Sequence, residues 1–273
     1  MFTIIVTFVV YAVLNVAGKV SGAETKDPPK QVAVDLGGGV KLELVLIPAG
    51  EFLMGSPASE KDLFADERPQ HRVRITRPFY LGKYPVTQEQ WESVMGNNPS
   101  GFKRPKNPVD KVSWDDCRQW LDKLNGRQGD PAGKFQLPSE AQWEYACRAG
   151  SKTKFCFGDD ESKLKEYAWY GAHFEAPPVT HPVGGKKPNA WGLFDMQGHV
   201  WEWCADWYDR GYYARSPTDD PTGPAAGSHR VARGGCWRYA AWGCRSTGRI
   251  GDLDPGDRFH NLGFRVCRIP ADK

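Results

Sequence analysis

The sequence predicts a single, loop-rich α+β domain. Glycine and proline together make up 51 of the 273 residues, about 19% against an average of roughly 12%. This composition favours turns and irregular segments over a helical bundle. The 34 aromatic residues (11 Trp, 10 Tyr and 13 Phe) are enough for a substantial core, which excludes a disordered chain. No internal repeat and no linker follows residue 31, so we expect one domain over residues 32–273.

The N-terminal segment resembles a secretory signal peptide. Residues 2–16 are mostly apolar, but they fall short of the roughly 20 residues that a membrane span requires. Ser21, Gly22 and Ala23 then form a small-x-small cleavage pattern before a polar stretch. We therefore predict a signal peptide at residues 1–23, a linker at residues 24–31, and a secreted or periplasmic protein with no transmembrane span after cleavage. An uncleaved N-terminal membrane anchor is the alternative.

The first structured segment is predicted to be a β-hairpin. Two β-type runs, at residues 32–34 and 40–47, flank three consecutive glycines. In the second run, one face carries Val40, Leu42, Leu44 and Leu46, and the other carries Lys41, Glu43 and Val45. The first of these faces should be buried. A turn at residues 48–50 leads into a further short run.

Three capping residues predict three helices, all in the first half of the chain. Thr87, Ser113 and Ser139 precede amphipathic segments, and the first and third open capping boxes. The second helix should cover residues 114–124, and the third should end at Gly150. From residue 151 onward we expect turns with short aromatic strands, at residues 200–203, 231–237 and 264–269.

Charge and residue spacing exclude several functions. Lys and Arg number 36 against 33 Asp and Glu, which is too balanced for a nucleic-acid-binding protein. The six histidines have no spacing typical of a zinc or iron site. The seven cysteines suit an oxidising compartment with disulfides. Because seven is odd and no CxxC motif occurs, the pairing stays open.

A series of motifs resembles the formylglycine-generating enzymes, also called sulfatase-modifying factors. In chain order the motifs are IPAGEFLMGS at 47–56, ERPQH at 67–71, LPSEAQWEYA at 137–146, GLFDMQGHVWEW at 192–203, RGG at 233–235 and LGFR at 262–265. The match extends over residues 44–269, and the order of the motifs makes the resemblance specific. It implies a C-type-lectin-like fold with little regular structure.

The resemblance implies a copper site that this sequence does not reproduce. The family's enzymes oxidise a cysteine of a client sulfatase to formylglycine, using dioxygen and copper held by two cysteines five positions apart. Here Cys236 and Cys244 are eight apart. Without gaps, Tyr239 falls on the first copper position and Cys244 on the second; if the segment is shortened to match Arg245 and Ser246, Cys244 leaves that position too. Soft thiolates select Cu(I) and a phenol does not. We expect these cysteines to be a structural disulfide or buried thiols, with a metal clasp as the alternative. The resemblance also implies a bridge between Cys147 and Cys244.

The resemblance further implies a calcium site in the segment 192–203. Its ligands would be Asp195, Gly198, Val200 and Glu202, with main-chain carbonyls from the middle two. Hard carboxylate and carbonyl oxygens are suitable Ca²⁺ ligands. Alternatively, Glu202 pairs with Arg233 or Arg265.

Three functions remain open on the sequence alone. The first is a secreted, calcium-stabilised binding or accessory domain without the copper pair, which uses a groove near residues 236–242 for a sulfatase or other protein, a peptide, or a carbohydrate. The aromatic residues that would line that groove, or else belong to the core, are Trp237, Tyr239, Trp242, Tyr212 and Tyr213. The second is an active copper-dependent oxidase that uses Cys244 with another thiol. The third is a structural module of an envelope or surface complex.

Overall fold

The computed structural model describes residues 30–60, 64–128, 133–171 and 180–271. The predicted signal peptide and most of the predicted linker lie outside these ranges. None of the helices within these ranges has the length and apolarity needed to span a membrane.

Eleven strands and three helices are present in the described ranges. The strands are β1 (Gln31–Asp35), β2 (Lys41–Ile47), β3 (Gly50–Met54), β4 (His71–Ile75), β5 (Phe79–Gly82), β6 (Lys134–Gln136), β7 (Trp201–Trp207), β8 (Arg230–Arg233), β9 (Arg249–Leu253), β10 (Leu262–Phe264) and β11 (Cys267–Ile269). They form a five-stranded sheet in the order β1-β2-β5-β11-β6, a four-stranded sheet in the order β10-β7-β8-β9, and the pair β3-β4. This mixture of short strands with few helices confirms the loop-rich α+β class.

The predicted hairpin is confirmed, with one difference. β1 pairs antiparallel with β2, and Val32 lies opposite Leu44. Leu42 and Leu44 are buried while Lys41 is exposed, as the alternation predicts. Val45 is buried too, so the expectation of a single buried face is wrong for the second half of β2. The reason is that the sheet separates two apolar clusters, with Leu44 in one and Val45 in the other.

The three helices begin where their caps predict. They are α1 (Gln88–Met95), α2 (Trp114–Gln128) and α3 (Glu140–Arg148). Thr87 and Ser139 form complete capping boxes, and the Ser113 hydroxyl accepts from the Asp116 N–H at 3.1 Å. α2 continues past the predicted end at residue 124. α3 stops at Arg148, followed by a left-handed turn through residue 150.

The second half of the chain is built of short strands and 3-10 turns in its described part, as predicted. Trp237 lies outside any strand, and β9 was not predicted from the sequence. The parallel pair β7-β10 and the antiparallel pair β7-β8 bring residues 201–207 and 230–233 together with residues 262–264. The segments that leave these strands form the surface described next.

Candidate functional site

A cleft of about 750 Å³ opens at one edge of the four-stranded sheet. Five large apolar side chains are exposed in the described ranges, and four of them line this cleft: Phe64 (50%), Tyr239 (42%), Trp242 (38%) and Phe259 (45%). A concentration of exposed apolar surface in one concave place is typical of a binding site. We call these four residues the aromatic rim.

Ring contacts make much of the rim continuous. The Phe64 and Trp242 rings meet edge to face, with centroids 5.3 Å apart. Tyr239 lies 5.9 Å from Trp242 and 6.5 Å from the buried ring of Trp201. Arrangements of this kind stabilise aromatic pairs beyond the effect of area burial. The rim therefore presents a pre-formed wall of ring edges and faces.

A buried ion pair fixes the two chain segments that carry Phe64 and Trp242. The Arg245 guanidinium donates to both carboxylate oxygens of Glu67, at 2.8 and 2.7 Å, and to the main-chain oxygen of Trp242 at 3.0 Å. Both ion-pair partners are buried. A bidentate pair of this kind sets both distance and orientation, so the two segments are held in register.

A second buried ion pair holds Asp66, another residue of the lining. The Arg249 guanidinium donates to both oxygens of Glu140, at 2.7 and 2.8 Å, and to the main-chain oxygen of Asp66 at 2.9 Å. The Tyr208 hydroxyl donates to the Asp66 carboxylate at 2.8 Å. Burial, reinforced by that hydrogen bond, raises the pKa of Tyr208 to about 12.

Gly251 is required for this position of Tyr208. A Cβ atom at residue 251 would lie 1.9 Å from Cδ2 of the Tyr208 ring. A contact that close forces a neighbour to move. The absence of a side chain at this residue therefore lets the ring lie against β9.

The two cysteines of the expected metal loop do not line the cleft. Cys236 and Cys244 are both fully buried, and neither is among the lining residues. The Cys236 sulfur accepts from the Asn261 amide at 3.3 Å. Cys244 packs against Gly235, where a Cβ atom would lie 2.8 Å from Sγ. The two thiols therefore lie in the interior and are not part of the cleft surface.

Burial disfavours the thiolate form of both cysteines. Burial raises the pKa of Cys236, and it raises the pKa of Cys244 well above the ordinary value, with further contributions from Cys236 and Cys147. The thiolate is the form that binds metal and reacts. Among the described residues, no group of three or more His, Cys, Asp or Glu side chains is suited to hold a metal ion. The two thiols do not fit a copper centre open to a substrate.

The bridge expected between Cys147 and Cys244 is not formed. All seven cysteines are free thiols in this structure. The Cys147 thiol instead lies 3.8 Å from both the Met196 carbonyl and the Ser246 hydroxyl. Of the alternatives left open by the sequence, the geometry favours buried thiols.

The predicted calcium ligand Glu202 is fully engaged by protein donors. Arg265 donates to its two oxygens at 2.8 and 3.0 Å, and the Trp143 indole N–H donates at 2.7 Å. All three side chains are buried. A guanidinium already supplies the positive charge that calcium would bring. The geometry therefore favours the ion-pair alternative with Arg265; Arg233 pairs with Glu144 instead.

The other predicted calcium ligands lie in a tight turn before β7. One Asp195 oxygen accepts from the Gly184 N–H at 2.7 Å, and the other lies 3.5 Å from Nδ1 of His199. Gly198 has φ +117 and Val200 is fully buried. Since Glu202 is committed elsewhere, the four residues do not fit a calcium site that uses both carboxylates. Calcium binding by this chain stays a prediction.

Sequence reasoning found only part of the rim. Of the aromatic residues expected to line a groove, Tyr239 and Trp242 line the cleft, whereas Trp237 and Tyr213 are buried and Tyr212 is not part of the lining. Phe64, Phe259 and Tyr208 were not singled out. No local pattern marks them, because they come from segments far apart in the chain that meet only in the folded protein.

Comparison with known proteins identifies the domain type. Residues 40–270 match the family described as the sulfatase-modifying factor enzyme 1-like domain. The formylglycine-generating enzyme of Streptomyces coelicolor is 32% identical, over 84% of this chain and 89% of its own. A protein of Paenibacillus barcinonensis named chaperone protein LppX is 29% identical, over 83% of this chain and 89% of its own.

A solved structure agrees with these matches. Treponema denticola variable protein 1 superimposes with a TM-score of 0.79 at 31% identity, covering 88% of this chain and 99% of its own. This agreement confirms the expected C-type-lectin-like architecture. The chain therefore belongs to the sulfatase-modifying factor family, whose domain accounts for nearly all of its described residues.

Proposed function

We propose that this protein is a binding or accessory domain of the sulfatase-modifying factor family, and that its cleft takes an extended segment of a protein partner. The observation that carries the proposal is the separation of the two features a copper oxidase would combine. The exposed aromatic rim forms the cleft, while Cys236 and Cys244 lie buried and outside its lining. A substrate in the cleft would meet rings and polar groups, and no thiolate.

The chemistry of the cleft favours a polypeptide over a carbohydrate. Its lining carries both signs of exposed charge, Arg210 and Asp252 among them, alongside the rings. Side chains of a polypeptide are both apolar and charged, and they recur along the chain at regular intervals. A neutral sugar has no charge to match. The relative from Paenibacillus barcinonensis is named a chaperone, which is consistent with a protein partner.

Oxidase activity is tested directly. The purified protein is loaded with Cu(I) and incubated in air with a cysteine-containing sulfatase peptide, with the Streptomyces coelicolor enzyme as positive control. We expect no conversion of cysteine to formylglycine by mass spectrometry. Aldehyde formation that is lost in Cys244→Ser would refute the proposal and establish the oxidase.

Binding is tested with a tiled peptide array and, in parallel, a glycan array. We expect peptides with aromatic or apolar residues to bind, and Trp242→Ala to weaken binding tenfold or more, because buried tryptophans dominate interface energies. Leu53→Ala is the matched control, since Leu53 is 48% exposed and does not line the cleft. Glycan binding without peptide binding would show that the ligand is a carbohydrate and not a polypeptide. Equal binding by Trp242→Ala and Leu53→Ala would show that the cleft is not the binding site.

Secretion remains a prediction from residues 1–23. It is tested by expressing the full chain in a bacterial host and sequencing the N-terminus of the mature protein. We expect the mature chain to begin at Glu24. An intact N-terminus in the membrane fraction would establish the anchor instead.

A further inference from the structure

A second cavity, of about 350 Å³, lies between α2, β6 and the β7-β8 pair. It shares no lining residue with the aromatic cleft. Its wall includes Trp114, Arg118, Lys134 and Arg230. Neither the predicted sites nor the proposed function involves this place.

The Arg230 guanidinium is clamped between two indole rings. Its Cζ atom lies 3.6 Å from the ring centroid of Trp114 and 3.2 Å from that of Trp207. Nη1 donates to the Ala205 carbonyl at 2.7 Å. With both faces covered and one edge anchored, the group is fixed in orientation.

Arg230 differs from other buried arginines of this domain. Arg233, Arg245, Arg249 and Arg265 each pair with a glutamate. Arg230 is only 8% exposed, yet no carboxylate of the described residues lies within 4 Å, and its buried Nε group has no hydrogen-bond partner there. A buried charge without a counter-ion is strongly destabilising. The site is therefore arranged as if an anion completed it.

The rest of the lining adds positive charge. Arg118 lies with its Cζ 5.3 Å from the Trp114 centroid, and Lys134 enters from β6. Neither forms an ion pair within the described residues, and Asp122 is the single carboxylate among the lining residues. Burial, together with the neighbouring charge of Arg118, lowers the pKa of Arg230 to about 10. Among the lining residues, three cations against one carboxylate leave a net charge of two, and the charges of Asp115 and Asp206 act on Arg230 from outside the lining.

We propose that this cavity binds an oxyanion, a carboxylate or phosphate group of a small molecule, which pairs with the Arg230 guanidinium and is flanked by Arg118 and Lys134. The planar guanidinium offers donors in the geometry that such groups accept. The indole rings supply an apolar wall for whatever carries the anionic group.

The test is a titration with inorganic phosphate and, separately, acetate, followed by NMR of the arginine Nε–H and tryptophan indole signals. Ionic strength is kept constant with NaCl, because screening alone moves surface charges. We expect saturable shifts at Arg230 and Trp114. Saturation by phosphate alone assigns a phosphoryl ligand, and saturation by acetate as well assigns oxyanions in general; both outcomes support the site.

Variants separate a site from general charge attraction. Arg118→Gln should weaken binding at least threefold, and Asp122→Asn should strengthen it. Lys123→Gln, an exposed cation on the same helix outside the cavity, should leave it unchanged. Arg230→Lys keeps the charge but loses the planar fork, and should also weaken binding. Shifts that never saturate, or equal affinities in Arg118→Gln and Lys123→Gln, would overturn the proposal.

Discussion

Replacing Glu202 tests whether an ion pair or a metal ion organises the segment before β7. In Glu202→Gln, one carboxylate oxygen becomes an NH₂ group that faces the donors of Arg265 and Trp143. Arg265 is fully buried; it keeps one amide oxygen and the carbonyls of Gly82 and Phe194 as acceptors but loses its only counter-charge among the described residues. Breaking a buried pair from one side costs about 3–5 kcal/mol. For a domain of this size, that lowers the melting temperature by about 6–20 °C.

Thermal unfolding followed by circular dichroism measures this change. Glu51→Gln is the matched control, because Glu51 pairs with Arg72 at the surface, where both side chains are exposed. Such pairs contribute less than about 1 kcal/mol. We expect the control to melt within about 4 °C of the wild type.

The same experiment with EDTA separates the two interpretations. A ligand bound only to the native state raises stability by mass action, so a calcium site would make the wild type melt lower after chelation. The ion pair alone predicts no such shift, because Arg265 already satisfies Glu202. If EDTA lowers the melting temperature of the wild type and Glu202→Gln abolishes the effect, the ion-pair reasoning is wrong.

Three further predictions concern packing, pH and thiols. Gly251→Ala should displace Tyr208, lower the free energy of unfolding by about 1–3 kcal/mol and weaken peptide binding. An unchanged melting temperature and peptide affinity would contradict the close approach of Tyr208 to Gly251. Burial raises the pKa of Asp206 to about 8, so the native state keeps a proton that the unfolded chain releases near pH 4. The free energy of unfolding, measured with urea, should therefore fall as pH rises from 4 to 8. This slope should be smaller in Asp206→Asn. Cys236 and Cys244 should resist iodoacetamide at pH 8 until denaturant is added, and rapid native labelling in peptide mass spectrometry would show that either thiol is accessible.

The sequence predicts those parts of the fold that depend on neighbouring residues. The helix starts at Thr87 and Ser139 follow from capping boxes within four residues, and the hairpin follows from two runs around three glycines. β9 was missed because its sequence, RIGDL, contains a glycine and two charges. Its pairing with β8 supplies a stability that no local pattern shows.

The candidate site was less predictable for the same reason. The Arg245–Glu67 and Arg249–Glu140 pairs join residues 178 and 109 positions apart. Glutamates and arginines on the sequence give no indication of which will be buried together. The resemblance to a family located the loop of Cys236 and Cys244, but only the packing showed that both thiols face the interior.

The ionic supports beneath the cleft separate recognition from folding. The buried Arg245–Glu67 pair holds the loops from inside. Phe64, Tyr239 and Trp242 project outward and contribute less to the stability of the fold. Residues at the tips can therefore be exchanged with little penalty to the frame. The domain is suited to be randomised at its tips, as a scaffold from which binders with new specificities can be selected.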